Sequence, residues 1–160
     1  MVDRQLLLRK LAALDEYLAQ LRELRDVTVD QYRADWRTQR AVERTLQLAI
    51  EACAEVANHV IADRRLRTPV TYAEIFEVLV EARLLDPALL PVLVTMTRFR
   101  NLLVHDYARV DPERVLGIVR GHLDDFIRFR AAALKWLEPS EPSGEDGGPG
   151  SPPPAGRGSA

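Results

Sequence analysis

WRTQRAVERTLQLAIEACAEVANHVIAD, residues 36–63, runs without a glycine or a proline. Val42, Leu46, Ala49, Cys53, Val56 and Val60 recur at alternating intervals of four and three, the period of one helix face. The other side carries Arg40, Glu43, Arg44, Gln47, Glu51 and Glu55 and reads as a solvated face. A helix of this length with one apolar stripe must bury that stripe against other elements. The fold is therefore expected to grow around a long central helix.

The flanking sequence supplies the partners. Leu7, Leu11, Leu14, Leu18 and Leu21 mark a first helix from about Asp3 to Leu24, and Thr28 to Asp35 reads as a short helical or irregular piece. After the central helix comes a loop with Arg64, Arg65, Arg67 and Pro69. Thr71-Tyr72-Ala73-Glu74 has the form of a capping box and opens a helix through about Ala82. Asp86-Pro87 opens the next, which carries Leu89, Val92, Met96, Phe99 and Leu103, with Pro91 still in the first turns. Asp111-Pro112 starts the last helix, and Glu138-Pro139 closes it. No stretch alternates for long with the period of a strand. The expected architecture is all-α, a bundle of about five helices. Gly117 and Gly121 leave one face of the last helix nearly bare, permitting close approach of a helix from this chain or from another.

Composition sets the limits of the domain. Of the 10 prolines and 8 glycines, six of each fall in the last 22 residues. The run GEDGGPGSPPPAGRGSA, with almost no apolar side chain to bury, is expected to be a disordered tail from 139 to 160. The body, 1–138, is scarce in helix breakers. Net charge is −2, and the tail accounts for it through Glu141, Glu145, Asp146 and Arg157. A neutral body provides no global positive field, which argues against a general nucleic-acid coat while leaving room for a local pocket. Cys53, the single cysteine, is expected to pack in the core. With no signal-peptide plan at the start and no membrane-length apolar run, the expected location is a reducing cytoplasm.

RNLLVHDY, residues 100–107, is where the apolar pattern is broken. At about 100° per residue Arg100 falls inside the stripe of Met96, Phe99 and Leu103. A guanidinium cannot shed its proton, so it must find a carboxylate, meet a partner subunit or line a cleft visited by an anion. On an unbroken helix His105 points roughly 140° away from Arg100. Either the helix loosens after Leu103 or the two groups converge across a subunit interface. The plain structural alternative pairs Arg100 with an acid on a neighbouring helix, uses His105 as a helix-end cap and leaves the Tyr107 hydroxyl in water. His59 and His122 lack an acid–base constellation and read as surface residues, and no His or Cys pair has metal-ligand spacing.

Arg100, His105 and Tyr107 together spell R-x4-H-x-Y, with Asn101 directly after the arginine. This pattern resembles the HepT-like toxins of the HEPN superfamily. AVERTLQLAIEACAEVANHVIAD (41–63) and TPVTYAEIFEVL (68–79) are similar to that family's second helix and to its following loop and helix. The resemblance runs from about Leu6 to Leu137. It implies a metal-independent endoribonuclease, without a cofactor, that works as a homodimer beside an MntA-like nucleotidyltransferase antitoxin. By position it implies a catalytic pair of Arg100 and His105, a supporting Asn101, and Tyr107 as the residue that receives AMP.

The residue types suit that chemistry. RNA carries its own nucleophile, the ribose 2′-OH. An imidazole titrating near neutrality can accept that proton or protonate the departing 5′-oxygen. A permanent cation can stabilise the charge of the phosphorane. The rival reading from another class is a non-catalytic helical module that binds a nucleotidyltransferase through the same motif.

Overall fold

A computed structural model of the chain describes residues 3–138. Within that span lie seven α-helices: α1 (Arg4–Glu23), α2 (Val29–Ala34), α3 (Trp36–Asp63), α4 (Glu74–Glu81), α5 (Leu90–His105), α6 (Pro112–Gly121) and α7 (Leu123–Trp136). Single 3-10 turns occur at Pro87–Leu89 and Tyr107–Arg109. No strand occurs among the described residues, and none of their helices is long and apolar enough to cross a membrane. The tail expected from 139 to 160 lies outside them.

The 28-residue α3 is the axis, in contact with each of the other six helices. Its stripe of Val42, Leu46, Ala49, Cys53, Val56 and Val60 is buried as expected. Ala52, Ala54 and Ala57 are buried as well, because neighbours surround the helix on more than one side. Burial pushes the Cys53 thiol pKa up, so this is a packing residue and not a reactive one. Phe129 of α7 meets Phe76 of α4 edge-on at 5.8 Å and Trp136 at 5.6 Å between ring centres.

Two differences raise the helix number above five. The piece between Thr28 and Asp35 is a helix because Thr28 and Gln31 form a reciprocal capping box. Tyr32 anchors it, fully buried, with its hydroxyl donating to Glu43 Oε1 at 2.5 Å. Glu43 is thereby a buried acid, only 7% exposed and also paired with Arg40 at 3.0 Å, not the solvated residue that its face suggested. The last helix divides at His122, whose backbone (φ −124°, ψ 9°) leaves helical geometry right after Gly121. The bend lets α6 lie on α1 and α2, where Arg120 donates to the Val27 carbonyl at 2.6 Å. Beyond the bend, α7 packs on α3.

Other starts and stops follow local rules. Asp86 caps only a 3-10 turn, since Pro91 has no N–H to donate back to Pro87 and the α-helix begins at Leu90. The Thr71 hydroxyl accepts from Glu74 N–H at 3.2 Å, one half of the expected box. The Glu74 carboxylate instead accepts from Val70 N–H and Arg67. Both α3 and α4 end in a left-handed residue that is not glycine, Arg65 (φ 52°) and Arg83 (φ 59°). In each case the next leucine, Leu66 or Leu84, bonds back to a carbonyl five residues earlier in a Schellman closure.

Arg67 clamps the loop between α3 and α4 by pairing with Glu74 at 3.0 Å and Glu81 at 2.9 Å. The bond from Val70 N–H and the Arg67 guanidinium hold the Glu74 carboxyl below its ordinary pKa of 4.5, and Arg67 does the same to Glu81. A carboxylate with a depressed folded pKa stabilises fully above its unfolded pKa and loses that effect as pH falls through the folded value. Thermal melts should therefore show Arg67→Ala less stable than the parent at pH 7. The gap should shrink below about pH 4.5 as both glutamates protonate. A gap that stays constant down to pH 3 would show that the clamp does not act through charge.

Candidate functional site

Arg100, in the last two turns of α5, is neither free nor fully buried: its side chain is 22% exposed. Its Nε and Nη2 both donate to Glu51 Oε1 of α3, at 3.0 and 2.8 Å, and Nη1 donates to Asn101 Oδ1 at 3.3 Å. The same Glu51 oxygen accepts from Gln47 Nε2 at 2.9 Å. Of the three resolutions open to a guanidinium in the apolar stripe, the carboxylate within the chain is the one this fold uses. Glu51 is accordingly half-buried and engaged, a correction to its reading as part of a solvated face.

Tyr72, from the loop that Arg67 clamps, lies against the Arg100 guanidinium with 5.0 Å from its ring centre to the guanidinium carbon. Burial pushes its phenol up to about 12, against the opposing pull of Arg100, so it stays neutral over the working range. The guanidinium is held by a carboxylate, an amide and a ring. Three of its five N–H donors are engaged, which leaves two for an anion.

His105 is the last residue of α5 and is exposed. The helix does not loosen after Leu103; it stays regular through His105 and breaks at Asp106 (φ −148°, ψ 52°). Arg100 and His105 therefore keep their angular separation, and no hydrogen bond joins them among the described residues. Tyr107 opens the 3-10 turn beyond and is 60% exposed. Arg40 of α3 sits over its ring at 5.3 Å. Arg40, Glu43, Arg44, Gln47, Leu103 and Tyr107 line an open groove of about 440 Å³. The structure thus gathers Arg100 and Asn101 into one cluster and sets His105 and Tyr107 at the exposed end of the same helix.

Elsewhere, His59 is exposed and His122 pairs with Asp125 at 2.9 Å on the surface. Gly117 and Gly121 face outward, with nothing within 4 Å of where a side chain would start, so they do not mediate packing inside the chain. Gly117 instead borders a groove of about 450 Å³ between α5 and α6, with Val92, Met96, Arg114 and Ile118. The sequence reading missed Glu51, Gln47 and Tyr72 as parts of the site. The one available signal was Arg100 itself, which required a carboxylate somewhere.

The sequence pattern of the family described as Ribonuclease HepT-like matches residues 14–133, a span that holds the whole cluster. The chain belongs to that family. It is 33% identical over 99 residues to an mRNA nuclease HepT of Shewanella oneidensis, covering 62% of this chain and 74% of the relative. A tRNA nuclease HepT of Aphanizomenon flos-aquae is 26% identical over 117 residues, covering 73% and 80%. Among solved structures, a tri-AMPylated HEPN toxin of Shewanella oneidensis in complex with MNT antitoxin superposes with a TM-score of 0.76 at 27% identity. That match spans 84% of this chain and 99% of the other. The HepT-like fold and the motif identified from sequence thus coincide on one set of helices.

Glu51→Ala should leave Arg100 half-buried without its carboxylate and lower the unfolding free energy by about 1–2 kcal/mol, measured by urea denaturation. In a cycle with Arg100→Ala the two losses should be non-additive. Additive losses would mean that the pair contributes nothing to the seam between α3 and α5.

Proposed function

We propose that the chain is the ribonuclease toxin of a toxin–antitoxin pair, a metal-independent endoribonuclease acting in the cytoplasm. One observation carries the assignment within the HepT-like family. Arg100 is fixed by Glu51, Asn101 and Tyr72 with donors to spare, while His105 and Tyr107 stand exposed at the end of the same helix. In the proposed reaction Arg100 binds the scissile phosphate, and the ribose O2′ attacks phosphorus. The P–O5′ bond breaks to leave a 2′,3′-cyclic phosphate and a 5′-hydroxyl. One histidine takes the 2′-OH proton and a second protonates O5′.

A single chain offers one His105, and it points away from Arg100. Both facts favour a homodimer in which two copies of the motif face one cleft. The outward glycines and the groove between α5 and α6 support such a contact, since bare backbone permits close helix approach. The partner in neutralisation is an MntA-like nucleotidyltransferase, and the acceptor is Tyr107, whose hydroxyl belongs to an exposed ring at the mouth of the groove. Its phenolic oxygen would displace pyrophosphate from a nucleoside triphosphate and lose its proton. The adduct adds bulk and negative charge, which repels RNA phosphates from the site.

Purified protein should cut RNA in EDTA and leave 2′,3′-cyclic ends. Arg100→Ala and His105→Ala should each slow cleavage by about 10² or more while the protein remains folded. Unchanged cleavage in either variant removes that residue from the mechanism and returns the motif to the status of a docking surface.

Co-expression with the cognate nucleotidyltransferase should raise the intact mass by one or a few AMP units on Tyr107. Tyr107→Phe should keep its nuclease activity yet escape neutralisation. A neutralised parent without an adduct would point to simple occlusion by the partner.

A further inference from the structure

The N-terminal half of α3 carries exposed groups that the catalytic reading does not use. Trp36 is 65% exposed, the largest apolar ring left to solvent, with the Arg37 guanidinium 5.2 Å from its ring centre. Arg40 lies one turn further along and Arg44 one turn beyond that, on the same side of the helix. Gln47 and Glu51 continue the line to Arg100. The line from Trp36 to Glu51 is about 22 Å long, the reach of a few nucleotides. Arg44 has no ion-pair partner among the described residues, whereas Arg40 is shared between Glu43 and the Tyr107 ring.

We infer that this line is a single-stranded RNA track: Trp36 stacks a base, and Arg40 and Arg44 hold backbone phosphates leading to Arg100. The inference rests on the ribonuclease reading and adds to it where the substrate strand lies and in what form. An exposed indole interleaved with arginines at one-turn spacing suits an unpaired strand, whose bases are free to stack. A duplex keeps its bases stacked inside and cannot offer a face to Trp36. The track also accounts for RNA binding by a body with no net charge, because it concentrates cations along one line instead of over the surface. Glu43 also borders this groove, but it is 7% exposed and engaged by Arg40 and the Tyr32 hydroxyl, and Glu51 is bound to Arg100, so neither carboxylate is unpaired along the track. Tyr107 borders the same groove, so a nucleotide attached there stands in the path of the strand.

The test uses the full-length protein with His105→Ala, so that RNA survives the measurement. The probe is a fluorescein-labelled 12-nucleotide single-stranded RNA of mixed sequence, alone and annealed as a duplex, followed by anisotropy across a salt series. Adding Trp36→Ala should weaken single-strand binding about fivefold or more and leave the salt dependence unchanged. Adding Arg44→Ala should weaken binding and reduce the slope of log K against log salt by about 0.7, one phosphate contact on a single strand. Both side chains are exposed, and unchanged melting curves will show that the fold is intact. The duplex should bind more weakly than the single strand.

The track is overturned if the His105→Ala protein binds no RNA or if both added variants bind as tightly as it does. It is also overturned if RNA binding persists while a co-expressed nucleotidyltransferase no longer co-purifies, which would make the surface a protein-docking face. The nuclease reading fails separately. If the added variants lose RNA binding but the chain with His105 intact cuts nothing, the track stands and the catalytic assignment falls.

Discussion

A guanidinium that cannot be discharged sits at the seam between α3 and α5, and much of the molecule is arranged to accommodate it. Arg100 is only partly in water, so it requires a carboxylate, and Glu51 meets it with a single oxygen that also accepts from Gln47. The pair joins α5 to α3 beside their buried apolar contacts. The ring of Tyr72 lies against the guanidinium, which in turn requires the loop after α3 to hold its course. Arg67 does this from the outside by gripping both ends of α4 through Glu74 and Glu81. Arg100 therefore ties α5, α3 and the Tyr72 loop together. The arrangement limits its motion and leaves two of its N–H donors without a hydrogen-bond partner among the described residues.

The charges of α3 are divided by depth. Glu43 turns inward to Tyr32 and fastens the short α2, and Arg40 screens it from solvent. Glu51 turns toward α5. What remains outward on the N-terminal half is arginine beside an exposed tryptophan. A chain whose body has no net charge thus sets several arginines along one helix face next to its motif, with Asp35 at the start of that helix and Asp106 within the motif. Formal charge is a sum over the molecule, whereas a phosphate responds to the groups within about a Debye length of it.

Most of the architecture was readable because it depends on period and punctuation. The apolar stripes of α1, α3 and α5 and the Asp-Pro start at 111 led to helices where the structure has them, whereas the start at 86 opens a 3-10 turn and the α-helix begins at Leu90. Some departures have local causes, such as the Thr28–Gln31 box of α2 and Pro91 after the 3-10 turn, and others follow tertiary contacts. Between the Asp111-Pro112 start and the Glu138-Pro139 stop the sequence predicts one continuous last helix. The division at His122 lets α6 and α7 each lie on a different part of the bundle. Arg65 and Arg83 end their helices in a conformation usually given to glycine, so neither stop carried its usual signal.

The sequence by itself determined that the chain is all-α, which stripe of the central helix is buried, and that Arg100, His105 and Tyr107 form a motif with the HepT-like pattern. These are properties of spacing along one chain, and helix geometry translates spacing into direction. Only the tertiary structure decided which acid answers Arg100, that Glu43 is buried while Arg44 has no ion-pair partner among the described residues, that Tyr72 covers the guanidinium, and that the glycines of α6 face outward. Glu43, Gln47, Glu51 and Glu55 look alike in the sequence, four polar residues on one side of a helix. Their separate fates depend on which neighbouring helix each one faces, and that is set by how the apolar stripes of all seven helices pack together, not by anything within α3.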